Sequence, residues 1–81
     1  MKTANIQEFH EKFVKEYNFL YDNYDNVAGF DEAVDAFDYM IKNDSFKKFV
    51  GEFARYRQDI ITSDREAAAF MFTMEDFGML N

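Results

Sequence analysis

Bulky apolar residues recur along this chain in steps of three and four, the spacing of one face of an α-helix, and no segment alternates in the steps of two that mark a strand. Ile6, Phe9, Phe13, Tyr17, Leu20 and Tyr24 form the first stripe. Asn5 precedes it with Glu8 three residues on, capping-box spacing with Asn in place of the usual Ser or Thr. Glu8/Lys12 and Glu11/Lys15 add i,i+4 pairs in the favourable orientation. The pattern predicts a helix from Asn5 to Tyr24, about 30 Å long at ~1.5 Å per residue. Asp22 to Asn26 supplies turn residues to close it, and Val27-Ala28-Gly29 makes the connection.

A second helix is expected to open with Asp31 as its N-cap. Ala33, Val34, Phe37, Met40 and Ile41 would face inward, with Asp31, Asp35 and Asp38 on the opposite side. Asn43-Asp44-Ser45 breaks the pattern and offers an N-cap for a third helix. Its stripe is Phe46, Phe49, Phe53, Tyr56 and Ile60, broadened by Val50. Gly51 falls inside this helix, where Gly costs up to about 1 kcal/mol against Ala. Close approach of another helix would justify it. Thr62-Ser63 turns the chain, and Ser63-Asp64-Arg65-Glu66 is a capping box. The fourth stripe is Ala67, Phe70, Met71, Met74 and Phe77. Gly78 is then placed as the left-handed C′ residue, with Met79 as the apolar contact of a Schellman ending. Four amphipathic helices with short connections predict an all-α fold, a compact single-domain bundle spanning 1–81.

At 81 residues the chain is near the lower size at which one core suffices, and its 11 Phe supply bulk for that core. With no Pro and 3 Gly, little interrupts the helices. The absence of Cys removes disulfides, thiolate zinc sites and thiol nucleophiles. The first residues lack the apolar core of a signal peptide, and no run approaches membrane-spanning length. A soluble cytoplasmic protein without membrane contact is the expectation.

Charge changes this picture. The stretch from Glu16 to Ile41 holds seven acids and no Lys or Arg, whereas the rest of the chain balances nine acids with nine bases. The net charge of −7 therefore belongs to one stretch. Tyr17, Tyr21, Tyr24 and Tyr39 are threaded through it. Such a field repels phosphates and points to a basic partner, or simply to solubility, rather than to nucleic acid or anionic lipid.

Motifs for catalysis or metal binding do not emerge. An EF-hand loop needs acids at alternate positions and a central Gly, but the third position is Tyr24 counting from Asp22 and Val27 counting from Asp25. His10 is the one histidine, without a second histidine or an HExxH motif beside it. Ser45 and Ser63 both fall where caps are required. Carboxylate pairs such as Asp31/Asp35 could share a proton only if buried, and helical phase places them outward. We therefore expect no enzyme activity, no cofactor and no metal.

Aromatics off the main stripes (Phe19, Phe30, Phe72, Tyr21 and Tyr39) are expected to stay partly exposed, and tyrosine beside carboxylate suits an interface. Met71, Met74 and Met79 fit either core or an adaptable contact surface. The resulting expectation is a non-enzymatic acidic protein-binding module, an inhibitor or antagonist of the kind that phages and mobile elements carry. It would set Asp22, Asp25, Asp31, Glu32, Asp35 and Asp38, with Tyr21, Tyr24 and Tyr39, on a basic surface of a partner. Carboxylates one helical turn apart imitate a row of phosphates, so a nucleic-acid-binding protein is the natural partner. Two alternatives stand beside it. One is a helix-turn-helix DNA binder using Lys47, Lys48, Arg55 and Arg57, and the other is a structural, homo-oligomerising subunit held by its spare aromatics.

Overall fold

A computed structural model of the chain describes residues 5–43, 46–57, 61 and 63–79. They form four α-helices: α1 (Ile6–Asn23), α2 (Phe30–Lys42), α3 (Lys47–Arg57) and α4 (Asp64–Asp76), with a 3-10 turn at Tyr24–Asn26. No strand occurs among the described residues. The fold is the small all-α bundle that the periodicity predicts.

Local chemistry explains most of the boundaries. Asn5 caps α1, its Oδ1 accepting from the backbone N–H of Gln7 at 2.8 Å and of Glu8 at 3.2 Å. Ser63 caps α4 reciprocally: its Oγ accepts from Glu66 N at 3.1 Å and donates to Glu66 Oε1 at 3.0 Å. At the far end Gly78 adopts φ 69°, and Met79 N and Gly78 N donate to Met74 O and Glu75 O. These are the two bonds of a Schellman ending, and Met79 folds back into the core as expected.

Three expectations are corrected. α1 ends at Asn23, whose side-chain amide donates to Phe19 O at 2.8 Å, so Tyr24 leaves the apolar stripe and is 40 % exposed. α2 opens at Phe30 with Gly29 as N-cap at φ 85°, which moves Asp31 from cap to first turn. There it still opposes the positive end of the helix dipole. Gly51 has nothing among the described residues within 4 Å of where a Cβ would stand, so no described helix approaches it closely. The N-cap assigned to Ser45, together with Ile60 and Thr62, lies outside the described residues.

The helix at the centre is α4. It packs against both α1 and α2, and α3 packs against α1. Ala67, Ala68, Ala69, Phe70, Met71, Thr73 and Met74 are all buried, so α4 is apolar nearly all round, as a helix enclosed by others must be. Thr73 is fully buried yet satisfied, its hydroxyl donating to Ala69 O at 2.6 Å. Three small alanines let the neighbouring helices close in, and phenylalanines fill what remains. Phe9 of α1 meets Phe49, Phe53 and Phe70 at ring-centroid distances of 4.9, 5.1 and 5.2 Å, and Phe37 of α2 meets Phe70 at 5.5 Å. These edge-on and tilted contacts join all four helices. Lys12 adds a clamp at the surface, reaching Glu16 and Asp76 at 3.2 Å each. The Cα radius of gyration is 11.7 Å, about the value expected for a compact chain of this length.

Candidate functional site

The last turn of α1, the 3-10 turn and the first turn of α2 carry Asp22, Asp25, Asp31 and Glu32, and Asp35 and Asp38 follow further along α2. Asp22, Asp25, Asp31, Glu32, Asp35 and Asp38 are all exposed. None of the six has an ion-pair partner among the described residues, whereas Glu16 at the start of the stretch is neutralised by Lys12. Asp31 and Glu32 occupy the first turn of α2, where the dipole favours them. Asp22 lies in the last turn of α1, which contains no base, at the end where an acid is disfavoured. Helix stability therefore accounts for two of these acids and not for Asp22.

Tyr21, Tyr24 and Tyr39 are exposed at 57 %, 40 % and 67 %, with Phe19 beside them at 55 %. Phe30 and Phe72 are only half-buried and pack against the core. Met71, Met74 and Met79 are buried and contribute no contact surface. Tyr56 was assigned to the inward stripe of the third helix but is 47 % exposed, with its ring 5.3 Å from that of His10. His10 itself is half-buried against α3.

Where the 3-10 turn meets α2, the surface opens into a cleft of about 570 Å³. Asp25, Asp31, Glu32 and Asp64 line it, with the rings of Tyr24 and Phe30 in its wall. Those two rings lie 5.5 Å apart. Asp64 comes from the N-terminus of α4, more than thirty residues along the chain from Asp31, and sequence spacing gave no sign that it would join them. The same helix contributes Arg65, whose guanidinium sits 4.3 Å from the Tyr24 ring and 5.4 Å from the Tyr21 ring. The acidic stretch contains no base, but the folded acidic end has one at its rim.

The cleft can attract and orient a cation between carboxylates and aromatic faces. Among the described residues no three of His, Asp and Glu converge as a metal-binding set. No protein-family model, no curated protein and no solved structure matches the chain. Its function has to be read from this surface chemistry.

The basic residues of α3 are dispersed. Lys47, Lys48 and Arg55 are exposed, whereas Arg57 turns toward α1 and places its guanidinium 4.8 Å from the Phe13 ring. Phe49 packs in the aromatic core, and Phe46 packs against that core. Among the described residues no helix is long and apolar enough to cross a membrane.

Proposed function

We propose that the protein is a non-enzymatic, cytoplasmic binding module that sets its acidic, tyrosine-bearing end on a basic surface of another protein. A nucleic-acid-binding groove is the surface best matched to it, and occupying that groove would make the protein an antagonist. The observation that supports this most is the set of six unpaired carboxylates, three of which (Asp25, Asp31 and Glu32) line an aromatic-walled cleft, while another, Asp22, is placed where helix stability disfavours it. An acidic face kept only for solubility would not need exposed tyrosines beside it, or a cleft. Tyr21 and Tyr39 supply ring area and a hydroxyl at small cost in side-chain entropy. The carboxylates supply long-range attraction.

The test is capture from cell lysate with two baits, the parent and the Asp25→Asn/Asp31→Asn/Glu32→Gln variant. The parent should retain a basic protein that added duplex DNA or RNA releases, and the variant should associate with it at least about tenfold more slowly. Equal capture by both baits, or a partner indifferent to nucleic acid, would remove the reading.

A further inference from the structure

Beside the acidic cleft, α2 and α4 leave a second opening between them, of about 350 Å³. Ala33, Ala36, Met71 and Phe72 form its floor, and the Ala28–Gly29 connection borders it. Ala33 and Met71 are buried, Ala36 and Phe72 are half-buried, and Ala28 is exposed. The small residues keep the floor close to the backbone and leave room for large side chains. Each helix adds one acid to the rim, Glu32 from α2 and Glu75 from α4. Both are exposed, and neither has an ion-pair partner among the described residues.

No base of α2 or α4 interrupts this rim. At about 100° per residue, Glu32 and Tyr39 stand on the ridge of α2 next outward from Ala36, and Asp35 comes between that ridge and Lys42. Glu75 likewise stands on the ridge of α4 next outward from Met71. Arg65 is engaged with the rings of Tyr21 and Tyr24, and Lys12 of α1 with Glu16 and Asp76. Glu75 lies in the last turn of α4, which has no base, so the helix dipole disfavours it and helix stability does not account for it. The groove also adjoins the acidic cleft, sharing Gly29 and Glu32 with it. Asp64 in the cleft and Glu75 at the groove are eleven residues apart, about 16 Å along α4.

We infer that this groove holds a basic amphipathic helix of the partner. The inference rests on the docking proposed above and names the part of the partner that is held. A segment buried here must pair its own backbone N–H and C=O groups, because two helices offer no strand edge to pair with; a helix does so and an extended peptide does not. Its apolar face lies on Ala33, Ala36, Met71 and Phe72. Lys or Arg residues flanking that face meet Glu32 and Glu75, and one further along reaches the carboxylates of the cleft. An acidic helix would meet like charge on both sides, and an uncharged one would bury the rim carboxylates unpaired. A second copy of the chain is a poor occupant, because its basic helix, α3, turns Phe49 and Phe53 into its own core.

The test uses the purified protein and a synthetic peptide about four helical turns long, with leucines three and four residues apart and lysines elsewhere. A shuffled peptide of the same composition, whose leucines share no face, is the control. Fluorescence anisotropy should give the patterned peptide at least about tenfold higher affinity than the shuffled one. Methyl resonances of Ala33, Ala36 and Met71 should shift on binding. Ala36→Leu fills the groove without changing charge and should weaken the patterned peptide at least about tenfold while leaving the shuffled one unaffected. Ala28→Leu narrows the groove from outside the helices and serves as a second blocking variant; circular dichroism verifies both folds. Glu32→Lys/Glu75→Lys should lose the lysine peptide and take up its glutamate counterpart. Equal affinity for both peptides, indifference to the blocking variants, or methyl shifts absent from the groove would overturn the inference. So would a parent that dimerises without peptide and is returned to its 9.7 kDa monomer by Ala36→Leu. Any of these results alongside nucleic-acid-sensitive capture from lysate would remove the helix from the groove and leave the acidic docking standing.

Discussion

Arg65 shows how one side chain can serve both the fold and the acidic end. Its place in the first turn of α4 is electrostatically unfavourable, since the N-terminal end of a helix repels cations. The rings of Tyr24 and Tyr21 compensate, because a guanidinium over an aromatic face gains about 0.5–1 kcal/mol even at exposed sites, and Arg65 is half-buried. The same charge partly offsets the field of Asp25, Asp31, Glu32 and Asp64. Arg65→Gln should therefore lower the unfolding midpoint by up to about 1 kcal/mol, while a cationic partner associates faster with the variant than with the parent. Slower association in stopped-flow mixing would mean that Arg65 itself touches the partner. This contact was not legible in the sequence, because Arg65 lies forty-one residues from Tyr24 and no local rule joins them. Local pairs were legible for the opposite reason: Ser63 with Glu66 and Asn5 with Glu8 lie within one turn, where backbone geometry alone brings them together.

The two ends of α4 are the best-defined elements, and each is held by a few identifiable bonds. Ser63→Ala removes both hydrogen bonds that the Ser63 hydroxyl makes with Glu66 and should cost about 0.5–2 kcal/mol. Gly78→Ala forces a Cβ into φ 69° and should cost about 1–2 kcal/mol, even though the site has open space around it. Gly51→Ala should do the reverse, raising stability by up to about 1 kcal/mol, because no described residue lies where its Cβ would stand. Urea titration of the three variants checks all of these, and a destabilised Gly51→Ala variant would mean that the glycine is packed after all. The start of α2 was misplaced in the sequence because Asp at a cap position is a strong signal, whereas Gly29 caps only through its positive φ. The central position of α4 was also missed. Its stripe was read as Ala67 and four large residues, while Ala68, Ala69 and Thr73, outside that stripe, are buried as well, small side chains that carry little hydrophobic weight yet permit close packing.

For the whole molecule the decisive quantity is its charge of −7 held within a radius of gyration of 11.7 Å. Acids one helical turn apart, such as Asp31 and Asp35, stand about 5–6 Å from one another, within a Debye length at physiological ionic strength. The unpaired carboxylates thus destabilise the folded state relative to a chain that can spread them apart. Against this stands the Lys12 clamp. Its ammonium is held above the ordinary lysine pKa by hydrogen bonds to Asp76 and then Glu16. A raised lysine pKa stabilises the fold below its unfolded value of 10.5, and that contribution fades only as pH rises through the folded value, so the clamp is intact at neutral pH. Both of its ion pairs are solvent-exposed and weak. Added salt screens the repulsion and the clamp together, in opposite directions, and the larger number of unpaired acids decides the sign. Thermal stability of the parent should rise as sodium chloride is added from low ionic strength. With Asp22, Asp25, Asp35 and Asp38 all changed to Asn, the protein should be more stable at low salt and its salt dependence nearly flat. Asp22→Asn should contribute a disproportionate share, because it also removes an acid from the negative end of α1. A parent whose midpoint falls with salt would show that these carboxylates hold the fold together, and the acidic end would then be structural rather than a surface reserved for a partner.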